Sequence, residues 1–140
     1  MVDFSNTKDR YILHVQGDLN DADYIELTCD DSDFSESMYI AMYKALKTLK
    51  SCGKSMYIRD LEDKEAKDEE LGDGFDQFLF DQFIKSGLSK DDAYELVDCM
   101  YYFIPHYDME HCHTIKDVKL YKFENKALYY YDNTKWKKVL

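Results

Sequence analysis

Proline and glycine are scarce in this chain, with one proline and five glycines in 140 residues. That scarcity excludes Pro-rich or Gly/Ser-rich linkers and argues against disorder. No apolar run approaches the roughly 20 residues a helix needs to cross a bilayer, and the N-terminal MVDFSNTKDR lacks the apolar stretch of a signal peptide. The expectation is a soluble, cytoplasmic protein with no membrane partner. The four cysteines, Cys29, Cys52, Cys99 and Cys112, are widely separated and form no CxxC pair, so small core residues in a reduced setting are expected rather than a disulfide scaffold. Catalytic signatures are lacking too. There is no GxSxG, no Gly-rich phosphate loop and no cysteine with a histidine at a recognised spacing. His14 reads as a surface residue rather than a base.

Aromatic residues are plentiful, with 13 Tyr and 8 Phe. Much of this content must sit on partly buried faces where the tyrosine hydroxyl still reaches a partner. The chain is also acidic, 29 Asp and Glu against 18 Lys and Arg, for a formal charge of −11. That balance repels nucleic acid and anionic membranes and favours basic partners. Residues 116–140 run the other way, with seven Lys against three acids, which leaves −15 on the first 115 residues.

Tyr11 to Cys29 organises the rest. Tyr11, Leu13 and Val15 alternate on one arm and Ile25, Leu27 and Cys29 on the other, around the turn GDLNDA. Such a hairpin has one apolar face and needs cover. An amphipathic helix from about Ser35 to Ser51 supplies it, with Met38, Met42, Ala45, Leu46 and Leu49 on one side, Asp33 as the expected cap and Gly53 as the stop. Ser55–Arg59 is a possible third strand. Nine of the residues from Asp60 to Asp76 are acidic and read as a solvated loop or exposed helix.

A helix over Asp73–Ser86 follows, with Phe75, Phe78, Leu79, Phe83 and Ile84 as its apolar stripe. Gly87 ends it, and Ser89 with Asp92 makes a capping box. The next helix has Ala93, Val97, Met100, Tyr101 and Ile104 inward and stops at Pro105. VKLYKF, ALYYYD and KWKKV, separated by ENK and DNT, read as an antiparallel meander. The whole predicts one α+β domain over 1–140, an antiparallel sheet of hairpin plus meander covered by about three helices. Leu13, Val15, Ile25, Leu27, Met42, Leu46, Leu79, Val97 and Met100 are the expected core.

Candidate sites follow from residue chemistry. His106, Asp108, Glu110, His111, Cys112 and His113 gather the donors a transition metal such as zinc takes, though their spacing matches no standard zinc motif; the plainer reading is a polar loop. Asp18, Asn20 and Asp23 do not complete a calcium loop, because Ala22 and Cys29 stand where ligands are needed. A helix-turn-helix reading of residues 73–104 founders on Asp91, Asp92, Glu95 and Asp98, which phosphate would repel, so direct nucleic-acid binding is not expected. The acidic segment, with Asp60, Glu62, Asp63, Glu65, Asp68, Glu69 and Glu70, is the candidate partner-binding surface. Ranked carboxylates can imitate a phosphate backbone in a basic groove, against the plain reading of a solubilising surface.

The segment Gly17-Asp18-Leu19-Asn20-Asp21-Ala22-Asp23-Tyr24, followed by a strand and an acidic helix start, resembles openings of small bacteriophage and mobile-element proteins. Some of these inhibit host defence, anti-CRISPR proteins among them. The resemblance implies a setting, the cytoplasm of a bacterial host, and carries over no functional residue. The expectation is a non-catalytic inhibitor of a basic, nucleic-acid-processing protein. Two other classes stand beside it: an immunity protein against a toxin nuclease, and a metal-dependent enzyme using the His106–His113 loop.

Overall fold

The computed structural model describes residues 8–19, 23–51, 61, 63–100 and 113–139. The expected strand at Ser55–Arg59, the stops at Gly53 and Pro105, Tyr101 and Ile104 lie outside them, as do Asn20, Asp21 and Ala22 of the GDLNDA turn. Five strands and three helices are present among the described residues: β1 (Arg10–Leu19), β2 (Asp23–Cys29), α1 (Glu36–Ser51), α2 (Gly74–Lys85), α3 (Lys90–Met100), β3 (His113–Glu124), β4 (Ala127–Asp132) and β5 (Lys135–Lys138). The fold is α+β. All five strands form one antiparallel sheet in the order β2-β1-β3-β4-β5, so hairpin and meander are joined through β1 and β3.

Strand parity holds on β1, where Leu13 and Val15 are buried, and Cys29 is buried opposite Leu13. Leu27, expected in the core, is only half-buried, because β2 is the edge strand. The side chain of Ile25 lies outside those described. β3 is longer than its sequence pattern because a bulge interrupts it. Gln16 pairs with Asp117 and Gly17 with Ile115, which leaves Lys116 as the extra residue. Ile115 and Val118, three apart, would face opposite ways on a regular strand; the bulge lets both be buried. Asn125 and Lys126, at φ of 51° and 64°, form the tight β3–β4 turn, whose ends Glu124 and Ala127 pair directly.

The start of α1 differs from expectation. The Ser35 hydroxyl, not the Asp33 carboxylate, accepts the Met38 N–H at 3.2 Å, while Asp31 accepts the Asp33 N–H at 2.8 Å and shapes the turn before it. Met38, Met42, Ala45, Leu46 and Leu49 are buried as expected, and Tyr39, Ala41 and Tyr43 are buried as well. The reason is that α1 is a middle layer, packed on β1 and β3 on one side and on α2 and α3 on the other. Tyr39 and Tyr43, one turn apart, reach Tyr11 and Tyr131 at ring centroid distances of 5.3 and 5.4 Å. Their hydroxyls donate to the Asp31 carbonyl at 2.6 Å and to Asn133 Oδ1 at 3.2 Å, so both phenols are hydrogen-bonded where they are buried.

On α2, Phe75, Leu79 and Phe83 are buried one turn apart, but Phe80 replaces Ile84 in the core and Ile84 is exposed. Phe80 turns toward α3 and stacks on Tyr94, with centroids 4.6 Å apart. Gly87, at φ 98°, ends the helix. Its N–H bonds to Ile84 O and that of Leu88 to Phe83 O, a Schellman closure with Leu88 buried beside it. Ser89 then caps α3 by accepting the Asp92 N–H at 3.2 Å. Ala93, Val97 and Met100 are buried as expected, joined by Leu96, while Cys99 is half-buried. No helix is long and apolar enough to cross a membrane among the described residues.

Candidate functional site

The acidic segment is built into the fold by its uncharged neighbours. Leu61 and Leu71 are half-buried against the core and fix its two ends. Between them the chain folds back on the start of α2, where the Gly74 N–H donates to the Lys64 carbonyl at 2.8 Å. A Cβ on residue 74 would lie 2.4 Å from the Leu61 carbonyl oxygen, so only glycine allows this approach. Asp73 is the N-cap of α2, accepting the Asp76 N–H at 2.9 Å, and Asp76 accepts the Gly72 N–H at 3.1 Å.

Asp68 is the centre of this arrangement. Its N–H donates to Gln77 Oε1 at 2.8 Å, and its carboxylate accepts the Glu70 N–H at 2.9 Å and the Tyr94 hydroxyl from α3. The Tyr94 bond holds the Asp68 carboxyl below the usual carboxylate range, with the Glu70 N–H adding to the effect. The same bond pushes the Tyr94 phenol up to about 12. The expected solvated loop is therefore tied to α2 at Lys64, Asp68 and Gly72 and to α3 through the Asp68 carboxylate.

Of the partner-binding candidates, Asp63, Glu65, Glu69 and Glu70 are exposed and Asp68 is half-buried in its bonds. Asp60 and Glu62 lie outside the described residues. Sequence reasoning assigned the surface to the segment alone; α3 adds Asp91, Asp92, Glu95 and Asp98, all exposed. Helical periodicity could have shown this, since none of the four falls on the Ala93–Val97–Met100 face. Residues 63–100 carry twelve acids against four lysines, so the helical side of the molecule is strongly negative.

The metal candidates His106, Asp108, Glu110, His111 and Cys112 lie outside the described residues, and His113 opens β3 opposite Leu19. His14 is bonded across the sheet to Glu26. A cleft of about 260 Å³ opens at the end of the sheet, lined in part by Tyr11, Asp31, Phe34, Lys122 and Glu124. The Lys122 ammonium beside it is held by Glu124 at 3.3 Å and lies over the rings of Trp136 and Tyr129, 4.5 and 5.3 Å from their centroids. Trp136 in turn donates to Glu36 at 2.6 Å. These contacts tie β5 to α1 and give the lysine a structural task. Comparison of the chain with protein-family models, curated proteins and solved structures finds no match in any of the three.

Proposed function

We propose that the chain is a non-catalytic binding protein whose acidic helical side docks onto a basic, nucleic-acid-processing partner, as an inhibitor of host defence would. The observation that supports this reading is that exposed carboxylates sit on a segment anchored to α2 through the Asp68 N–H and the Lys64 carbonyl and to α3 through the Asp68 carboxylate. A charged loop free in water must be ordered on binding, at a cost in entropy. This segment presents Asp63, Glu65, Glu69 and Glu70 already placed, so long-range attraction speeds encounter and little ordering follows it.

Reversing those four to lysine shifts the formal charge by eight, from −11 to −3. Asp68 is left intact because Tyr94 needs it. The expected outcome is weaker capture of a basic protein from bacterial lysate, with an unchanged melting temperature, and loss of capture by the unaltered chain at high salt. Mass spectrometry of the retained protein identifies the partner. Recovery of no basic protein, or of one whose binding ignores salt and the reversals, defeats the proposal.

A further inference from the structure

We propose that the cleft between α1, α2 and the β4–β5 turn is a binding site for a small polyphosphate, inorganic or carried by a nucleotide. The cleft measures about 340 Å³ and is lined in part by Lys44, Lys47, Gln82, Lys85, Ser86 and Asn133. No carboxylate lines it, in a chain where acids outnumber bases by 29 to 18. Nearby lysines are matched: Lys50 and Lys119 share Asp117 at 3.8 and 3.6 Å, and Lys137 takes Asp132 at 2.6 Å. Lys44, Lys47 and Lys85 have no carboxylate within ion-pair distance among the described residues. The helix dipole accounts for Lys85, in the last turn of α2, but not for Lys44 and Lys47, which precede the last turn of α1. Buried Tyr43 places two of the donors. The Lys47 ammonium lies over its ring, 5.8 Å from the centroid, and its hydroxyl donates to Asn133 Oδ1 at 3.2 Å, which leaves the Asn133 amide N–H groups to donate into the cleft.

The donors select the ligand. Three ammonium groups around one cleft repel one another, and an anion set among them relieves that repulsion. A carboxylate ligand answers one of the three charges; a polyphosphate answers all of them, and lysine serves phosphate oxygens as a point charge. The neutral donors of Gln82, Ser86 and Asn133 add hydrogen bonds without adding a competing acid. Length is limited by the surroundings. Asp81 and Asp132 directly precede Gln82 and Asn133 in the chain, and the acid surplus of α3 lies beyond, so a long polyanion would run onto like charge. A second hollow, of about 360 Å³, shares Tyr43, Lys47 and Asn133 with the cleft and is lined further by Tyr121, Tyr130 and Tyr131, which gives a nucleotide base room beside its phosphates.

Isothermal titration with inorganic tripolyphosphate at low salt tests this. One equivalent should bind, less tightly as salt rises, and should shift the Asn133 side-chain amide signals in a proton–nitrogen correlation spectrum. Lys44→Gln and Lys85→Gln should each weaken binding about fivefold or more. Both lysines are exposed and glutamine is as good a helix former, so neither change should alter melting. Lys138→Gln removes the same charge from exposed β5 and should leave binding as it was. ATP in place of tripolyphosphate separates the two sources: equal affinity assigns the site to the phosphates alone, and tighter binding adds the base in the adjoining hollow. Absence of binding at millimolar tripolyphosphate overturns the proposal. So does weakening by Lys138→Gln as large as that by the cleft variants, or a preference for oligothymidylate over both ligands. Capture of a basic partner by the acidic segment should be untouched by Lys44→Gln and Lys85→Gln, so the two proposals fail separately.

Discussion

Buried tyrosines carry much of the local chemistry of this chain. Burial raises the Tyr39 phenol well above its ordinary range, with Cys29 adding to the effect, and burial likewise raises Tyr11, Tyr43 and Tyr131. Tyr94 differs, because its shift comes first from the bond to Asp68. The unfolded chain ionises such a phenol near pH 10, whereas folded Tyr94 holds its proton to about 12. Its contribution is therefore complete below about pH 10 and lost as pH climbs through the folded value. Asp68 has the opposite sign. Its depressed carboxyl contributes above the unfolded carboxylate range and ceases to as pH falls through the folded value. Tyr94→Phe should thus be less stable than the parent near neutrality, with the difference narrowing at both the acid and the alkaline end. Urea midpoints across pH check this, and a pH-independent difference would show that the bond is not what Tyr94 supplies.

The helices and strands were legible wherever a periodic pattern ran unbroken. All three helices and the meander stand where the apolar spacing and the Ser89 and Gly87 signals place them. The errors have specific causes. Ser35 displaced Asp33 as cap because Ser35 immediately precedes Glu36, while Asp33 lies in the turn before it with its N–H on the Asp31 carboxylate. Phe80 displaced Ile84 because α2 faces two neighbours, α1 and α3, and a single-face pattern describes one. The β3–β4 turn keeps a lysine at φ 64°. A left-handed non-glycine residue costs about 1–2 kcal/mol, so Lys126→Gly should stabilise the protein by about 1 kcal/mol, read as a higher urea midpoint at unchanged slope. A lower midpoint would mean that the Lys126 side chain supplies more than the strain it imposes.

On the scale of the whole molecule, α1 is the layer that both other layers need. Leu46 is fully buried there, and an unpaired carboxylate at that position costs several kcal/mol against a typical stability of about 5–15 kcal/mol. Leu46→Asp should therefore unfold sheet and helices together, with far-UV and near-UV circular dichroism lost in one transition. A variant that melts as the parent does would contradict the middle-layer placement. One edge of the open sheet is blunted, since β5 is four residues long with three lysines.

Local composition and periodicity were enough to determine the α+β class, the identity of most core positions and the excess of acid, because each depends on residues close in sequence. The order β2-β1-β3-β4-β5 was beyond their reach, since the pairing of β1 with β3 joins segments about a hundred residues apart. So was the conversion of the acidic run from solvated loop to anchored segment. That depends on Tyr94, twenty-six residues beyond Asp68, and on the closeness of Gly74 to Leu61. The ion pairs across the sheet are likewise a product of register, which sets Asp30, Glu26 and Asp132 beside Arg10, His14 and Lys137. Charge totals belong to the chain; their separation onto two sides of the molecule belongs to its packing.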